Sequence, residues 1–149
     1  EMCIRDSLCW VSVVDSFQHW VYENPNHTLD ERYKAWEKIF KKYQPGNVNW
    51  GEYDFTMRWH AQGHIFDVPF YYIEYGIAQM GALGVWRNYR EDKQVALDAY
   101  EKALGFGNTK SLPELFNAAN IEFNMSVPYV KKIAEFLKIE IGRVVQEKN

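Results

Sequence analysis

Apolar residues recur at intervals of three and four along most of the chain, which is the spacing that places them on one face of an α-helix. The first such stretch spans residues 8–22, and its apolar positions include Trp10, Val13, Val14, Phe17 and Val21. Asn-Pro-Asn at 24–26 ends this stretch, because proline lacks an N–H group and disfavours helix before it. The pattern therefore predicts a first amphipathic helix over 8–22.

Boundary residues divide the rest of the chain into six further predicted helices. Thr28 and Glu31 have the spacing of a capping box, and so do Ser111 and Glu114, where proline lies in the first turn. The predicted helices span about 29–43, 52–63, 70–89, 93–104, a short stretch from 111, and 126–146. No segment alternates with period two for long, so the predicted fold class is all-α, with about seven helices joined by short connections.

Composition suggests that part of a larger domain is missing. The chain has 149 residues with six Trp, ten Tyr and nine Phe, more large aromatics than a small helical bundle needs. Such rings commonly line a cleft or a contact surface. A net charge of −3 without a basic stripe argues against a nucleic-acid partner, and no apolar run approaches the roughly 20 residues that span a membrane. Without a cleavable signal pattern, we expect a cytoplasmic location.

Residues 1–7 do not continue any pattern that follows them. The string EMCIRDS is similar to translated adapter sequence of the kind found at the ends of metagenomic reading frames. We therefore expect residues 1–7 to be a non-native tail, and the natural chain to enter near Leu8 already within a helix.

His60 and His64 are the first candidates for chemistry. Two histidines four apart on a helix share one face and can both reach a metal ion. A zinc peptidase helix, however, has Glu directly after the first His, and here that residue is Ala61. No evident third ligand follows, although Glu74 could be argued, so coincidence is the favoured interpretation.

A second candidate is the junction formed by His64, Tyr71, Tyr72 and Tyr75. Tyr72 and Tyr75 are three apart and are predicted to share a helix face. Tyrosine hydroxyls stay protonated at neutral pH, and such donors suit the oxyanion that develops during attack on a peptide carbonyl. Simple packing of aromatic rings explains the same spacing, and the residues alone favour packing.

The run HIFDVPFYYIEYGIAQMGALGVW at 64–86 resembles a signature near the C-terminus of oligoendopeptidase F-type peptidases, relatives of thimet oligopeptidase. The flanks agree: DSFQHWVY at 15–22 followed by His-Thr at 27–28 is similar to the family's preceding helix, and 96–104 with 111–116 to its closing helices. The similarity extends over about 9–145.

This resemblance implies a zinc metalloendopeptidase that cleaves oligopeptides inside a helix-walled channel. The family's HExxH helix and third Glu ligand lie N-terminal to the matching region, and neither occurs in this sequence. The resemblance therefore implies that residues 8–149 are the C-terminal part of the catalytic domain. One Zn²⁺ is expected in the intact enzyme on upstream ligands, with no metal ligand in this chain, which alone should be inactive.

The resemblance also assigns roles to individual residues. His64 matches the family His on a loop facing the zinc, Tyr72 a Tyr that hydrogen-bonds the tetrahedral intermediate, and Tyr75 a second substrate-contacting Tyr. Tyr71 is the alternative if the register is shifted by one, and Tyr71 and Phe70 are expected to bind substrate.

Several points stay open at this stage. Val-Pro at 68–69 replaces a glycine-rich loop of the thimet branch, so the tyrosine register is less certain than the histidine. His60 has no metal-binding counterpart in the family and is expected to be structural. His19 is expected to be a hydrogen-bonded core or cleft-wall residue. The rival function is a non-enzymatic helical module that binds peptides or another protein through its aromatic face.

Overall fold

The structure, a computed structural model, describes residues 4–43 and 55–146, with only the backbone described for 4–7. Within these ranges every regular element is helical and no strand occurs, which confirms the predicted all-α class. The elements are α1 (Ile4–Glu23), α2 (Leu29–Tyr43), a 3₁₀ helix (Arg58–Ala61), α3 (His64–Asp67), α4 (Ile73–Glu91), α5 (Lys93–Gly105), α6 (Leu112–Ala118) and α7 (Val127–Gln146).

The helix predicted over 52–63 is wrong in its described part. Residues 52–54 lie outside the described residues, and between 55 and 63 the chain forms only the short 3₁₀ helix. His60 belongs to that 3₁₀ helix, whereas His64 opens α3. Their spacing predicted that the two histidines share one helix face. They do not, because they belong to different elements.

The start of α4 also differs from the prediction, because a turn precedes it. The Tyr71 N–H donates to the Val68 carbonyl at 3.1 Å, which closes a turn through Pro69 and Phe70. Phe70 has φ 63°, in the left-handed region that no right-handed helix contains. Helix α4 consequently begins at Ile73 rather than at residue 70.

The described chain forms two compact units, 1–76 and 77–149, with the boundary inside α4. In the first unit α1 packs on α2 around a core dominated by aromatic rings. The Phe17 and Trp36 rings meet edge to face at 5.0 Å, and Phe40 stacks on Phe55 at 4.9 Å. The buried Trp36 indole N–H donates to the Phe55 carbonyl at 2.8 Å, so its one polar atom is satisfied. Trp59 of the 3₁₀ helix belongs to this core, and Ile65 of α3 packs against it.

In the second unit small residues let helices approach closely. A Cβ at Gly81 of α4 would lie 2.9 Å from Phe116 Cζ of α6, and one at Gly84 would lie 3.0 Å from Ile121 Cγ2. Glu140 of α7 is buried at 5% exposure and pairs with Arg90 of α4 at 3.0 Å. No described helix is long and apolar enough to cross a membrane.

Candidate functional site

The structure brings the three candidate tyrosines together around His64. The His64 ring centroid lies 5.0 Å from that of Tyr72, 5.8 Å from that of Tyr75 and 6.4 Å from that of Tyr71. Three short elements place them: His64 opens α3, Tyr71 and Tyr72 lie in the connection, and Tyr75 lies in the first turn of α4. The cluster thus depends on the turn between α3 and α4 and not on a single helix.

Tyr71 and Tyr72 meet the His64 ring in different ways. Tyr71 lies nearly parallel to it, with 14° between the planes, and is 51% exposed. Tyr72 meets the same ring edge to face at 73° and is half-buried, and its ring also contacts Tyr75 at 5.1 Å. Because Tyr72 precedes α4, the prediction that it shares a helix face with Tyr75 is wrong.

Burial sets the acid–base behaviour of Tyr72. Loss of solvent raises the pKa of its hydroxyl above the ordinary value, the Trp10 side chain opposes this, and the neighbouring Tyr75 adds to it. Desolvation disfavours the charged phenolate, so the group stays a neutral O–H donor well past neutral pH.

Two polar residues that sequence reasoning missed complete the surroundings of His64. The Trp10 indole N–H donates to Gln62 Oε1 at 3.1 Å, and Gln62 Nε2 lies 2.8 Å from His64 Nδ1. On the other side of the ring, His64 Nε2 lies 3.3 Å from the Tyr75 hydroxyl. Trp10 and Gln62 are 52 residues apart, so no local spacing could have revealed the pair.

Phe70 takes a separate position on α1. Its ring lies 5.1 Å from that of His19 and 5.0 Å from that of Tyr22. His19 is exposed, with 58% of its side chain accessible, and its Nε2 lies 3.7 Å from Asp15 Oδ2. A core position for His19, one of the two alternatives, is therefore wrong.

The described residues contain no group of three or more His, Cys, Asp or Glu side chains that could hold a metal ion. Glu74, the one arguable third ligand, therefore belongs to no such group with His60 and His64. The His60 ring instead packs on Trp59 at 3.8 Å and on Tyr33 at 6.0 Å. What the cluster around His64 offers is a set of neutral hydrogen-bond donors, the chemistry that suits a developing oxyanion.

Comparison with known proteins identifies relatives of most of the chain. The sequence profile of peptidase family M3 matches residues 4–135. A crystal structure at 3.1 Å of a protein provisionally named oligoendopeptidase F is 34% identical in sequence, with a TM-score of 0.72. The similarity covers 93% of this chain but 24% of that one, so the chain spans about a quarter of that relative. No curated protein sequence matches.

Proposed function

The chain belongs to peptidase family M3, and on this basis we propose that it is the C-terminal part of a zinc metalloendopeptidase that hydrolyses oligopeptides. The convergence of His64, Tyr72 and Tyr75 in one cluster is the observation that carries the proposal. Residues 8–149 would belong to the catalytic domain.

The proposed work of this chain is to hold the substrate and its transition state. His64 and Tyr72 would donate hydrogen bonds to the oxyanion that forms when the scissile carbonyl is attacked, and Tyr75 would contact the same substrate. Tyr72 suits this role because its half-buried hydroxyl is a donor that water screens less. Tyr71 and Phe70, both exposed, would contact the peptide beyond the reacting carbonyl.

The residues described here do not by themselves fit a zinc site, since they hold no group of three potential ligands. We propose that the ion's ligands lie in the upstream part of the intact enzyme. Zinc bound there would supply Lewis-acid chemistry and an activated water, as in other zinc peptidases. The isolated chain should accordingly be inactive.

Replacement of Tyr72 by Phe in the intact enzyme tests the oxyanion role. The change removes one hydroxyl and keeps the ring that packs on His64 and Tyr75. We expect kcat to fall by about a hundredfold or more, as for other oxyanion donors, with little change in KM because the bond matters most in the transition state. His64→Ala should act similarly, and the double variant should lose less than the sum, since both groups serve one charge.

Tyr71→Phe is the matched control for register, because the neighbouring rings both contact His64. If Tyr72→Phe keeps a normal kcat while Tyr71→Phe loses it, the oxyanion role belongs to Tyr71. Near-normal kcat/KM in both, and in His64→Ala, would refute the oxyanion role. The cluster would then be only a packed channel wall, and a helical binding module would become the better interpretation.

A further inference from the structure

Four side chains of the first unit form one continuous line of hydrogen bonds. It runs from the Trp10 indole through Gln62 and the His64 ring to the Tyr75 hydroxyl, with heavy-atom separations of 3.1, 2.8 and 3.3 Å. Gln62 bonds through both its oxygen and its nitrogen, and His64 bonds through both ring nitrogens. The donor–acceptor direction of one bond therefore determines the direction of the next.

The indole fixes that direction. An indole N–H can only donate, so the Gln62 atom that it meets is the carbonyl oxygen, and the Gln62 NH₂ group is the atom facing His64. An NH₂ group can only donate as well, so His64 Nδ1 accepts and carries no proton. The ring proton of His64 then sits on Nε2, on the side that faces Tyr75.

We propose that Gln62, oriented by Trp10, is a positioning residue that holds His64 as a neutral imidazole with its proton on Nε2. His64 is thereby a hydrogen-bond donor toward Tyr75 and toward whatever oxygen binds beside it, and not a base at that nitrogen. The part of this inference that concerns substrate rests on the function proposed above. The part that concerns the proton's position rests on the hydrogen bonds alone.

Packing keeps the source of the line in place. The Trp10 ring meets Trp36 edge to face at 5.8 Å and Phe40 at 6.4 Å, and the Arg58 guanidinium lies 5.1 Å from its centroid. Rings held from several sides lose little further freedom when their N–H forms a bond. The indole is therefore a fixed donor against which a half-buried amide can be oriented.

The far end of the line leaves a donor available. If His64 donates to the Tyr75 oxygen, the Tyr75 hydrogen points away from His64 and can donate to a substrate. Successive bonds that run in one direction polarise one another, which strengthens the last donor. The final separation of 3.3 Å is longer than the 2.8 Å between Gln62 and His64, so a substrate oxygen could replace Tyr75 at Nε2 at small cost.

The position of the proton can be read directly by nitrogen NMR on the full 149-residue chain labelled with ¹⁵N. At a pH about one to two units above the ordinary histidine pKa of about 6.5, we expect the His64 ring to show a protonated Nε2 and an unprotonated Nδ1. Its signals are assigned by their loss in His64→Gln. A ring protonated on Nδ1 in the unaltered chain would overturn the proposal.

Gln62→Glu is the decisive variant because it keeps the shape of the side chain and only accepts hydrogen bonds. A carboxylate beside Nδ1 should draw a proton onto that nitrogen, giving either the other tautomer or an imidazolium. An unchanged His64 signature in this variant would also overturn the proposal. The exposed His19 ring, which takes no part in the line, should keep its signals and serves as an internal control.

Trp10→Phe tests the origin of the direction, since it keeps an aromatic ring at this position and removes the N–H donor together with part of the indole. The Gln62 amide is then free to turn over, and we expect His64 to show both tautomers. A single Nε2-protonated form in this variant would show that Trp10 does not orient the amide.

Kinetics of Gln62→Glu in the intact enzyme separate this inference from the proposed function. We expect kcat to fall about 10- to 100-fold with a smaller change in KM, as for other residues that orient a site group. A moved proton with unchanged kcat would support the positioning role and count against the role of His64 in catalysis. If the proton stays on Nε2 in Gln62→Glu while Tyr72→Phe is crippled, the positioning role of Gln62 fails and the proposed function of the cluster is supported.

Discussion

Tyr72 differs from the two tyrosines around it in how much of its side chain meets water. Tyr71 and Tyr75 are 51% and 48% exposed, whereas Tyr72 is half-buried between His64 and Tyr75. Burial raises the pKa of the Tyr72 hydroxyl because the phenolate loses more solvation than the phenol. Burial thus keeps protonated the hydroxyl of the residue with the proposed transition-state contact.

Alkaline titration followed by tyrosinate absorbance checks this property. Because the folded pKa of Tyr72 is raised, its contribution to stability is complete below the unfolded pKa and is lost as pH rises through the folded value. We expect Tyr72→Phe to remove a late-ionising component and to lose less stability above about pH 10 than the unaltered chain does. An ionisation curve that Tyr72→Phe leaves unchanged would contradict the assignment.

At the scale of elements, local hydrogen bonds explain where helices begin. The Glu31 carboxylate accepts from the Thr28 N–H at 2.7 Å, and the Glu31 N–H donates to Thr28 Oγ1 at 3.3 Å, which confirms the predicted capping box of α2. The Glu114 carboxylate likewise accepts from the Ser111 N–H at 2.9 Å at the start of α6. Both boundaries were predictable because every partner lies within three residues.

The Thr28 cap gives a prediction with a defined pH dependence. Thr28→Ala should destabilise the first unit by about 1 kcal/mol in denaturant unfolding at neutral pH. Hydrogen bonds from the Thr28 N–H and hydroxyl lower the pKa of Glu31, so the part of the stabilisation that depends on the Glu31 charge is present above the unfolded pKa and is lost as pH falls through the lowered folded value. The difference between Thr28→Ala and the unaltered chain should therefore shrink in acid. A difference independent of pH would separate the cap from the Glu31 charge.

A pair of glycine substitutions tests the close approach of α4 and α6. Gly81→Ala places a methyl group 2.9 Å from Phe116 Cζ, and such overpacking should destabilise the second unit by about 1–3 kcal/mol. Gly142 of α7 is the matched control, because a Cβ there meets nothing within 4 Å. Gly142→Ala should stabilise by about 0.5–1 kcal/mol, since glycine is a poor residue in a helix interior. Equal changes in Tm for both variants would show that the Phe116 ring moves aside at no cost in stability.

The parts of the site that sequence could not predict depend on residues far apart in the chain. The run from His64 to Tyr75 is local, and its resemblance to oligoendopeptidase F-type peptidases indicated the histidine and the tyrosines. The pairing of Trp10 with Gln62 joins residues 52 positions apart, and the turn at Phe70 depends on a ring that packs against α1. Periodicity predicted a helix from residue 70 because it ignores such tertiary contacts.

At the scale of the whole molecule, each unit leaves large apolar side chains exposed. In the second unit a cavity of about 720 Å³ has an apolar lining that includes Gly81, Trp86, Leu104 and Phe116. Leu104 is 60% exposed and Trp86 is 39% exposed at this surface. Such a surface fits a chain that spans 24% of its structural relative, because the remainder of a domain commonly covers faces of this kind.

Binding of a hydrophobic fluorescent dye measures this surface. We expect the purified chain to bind the dye, and Leu104→Glu to reduce the signal severalfold by placing a charge in the lining of the cavity. Val127→Glu is the control, since Val127 is 67% exposed at the start of α7 and does not line the cavity. A chain that binds no dye, or an equal loss of signal in both variants, would contradict the assignment of the cavity as the dye site.

The boundary between the two units has a consequence for any attempt to isolate the candidate site. Its residues all precede the boundary after Gly76, yet Tyr75 belongs to a helix that continues to Glu91. A chain truncated after Gly76 would keep only Ile73 to Gly76 of α4, too little to overcome the cost of helix nucleation. Tyr75 would lose the backbone that directs it toward His64. The smallest autonomous form of the site therefore extends into the sequence of the second unit.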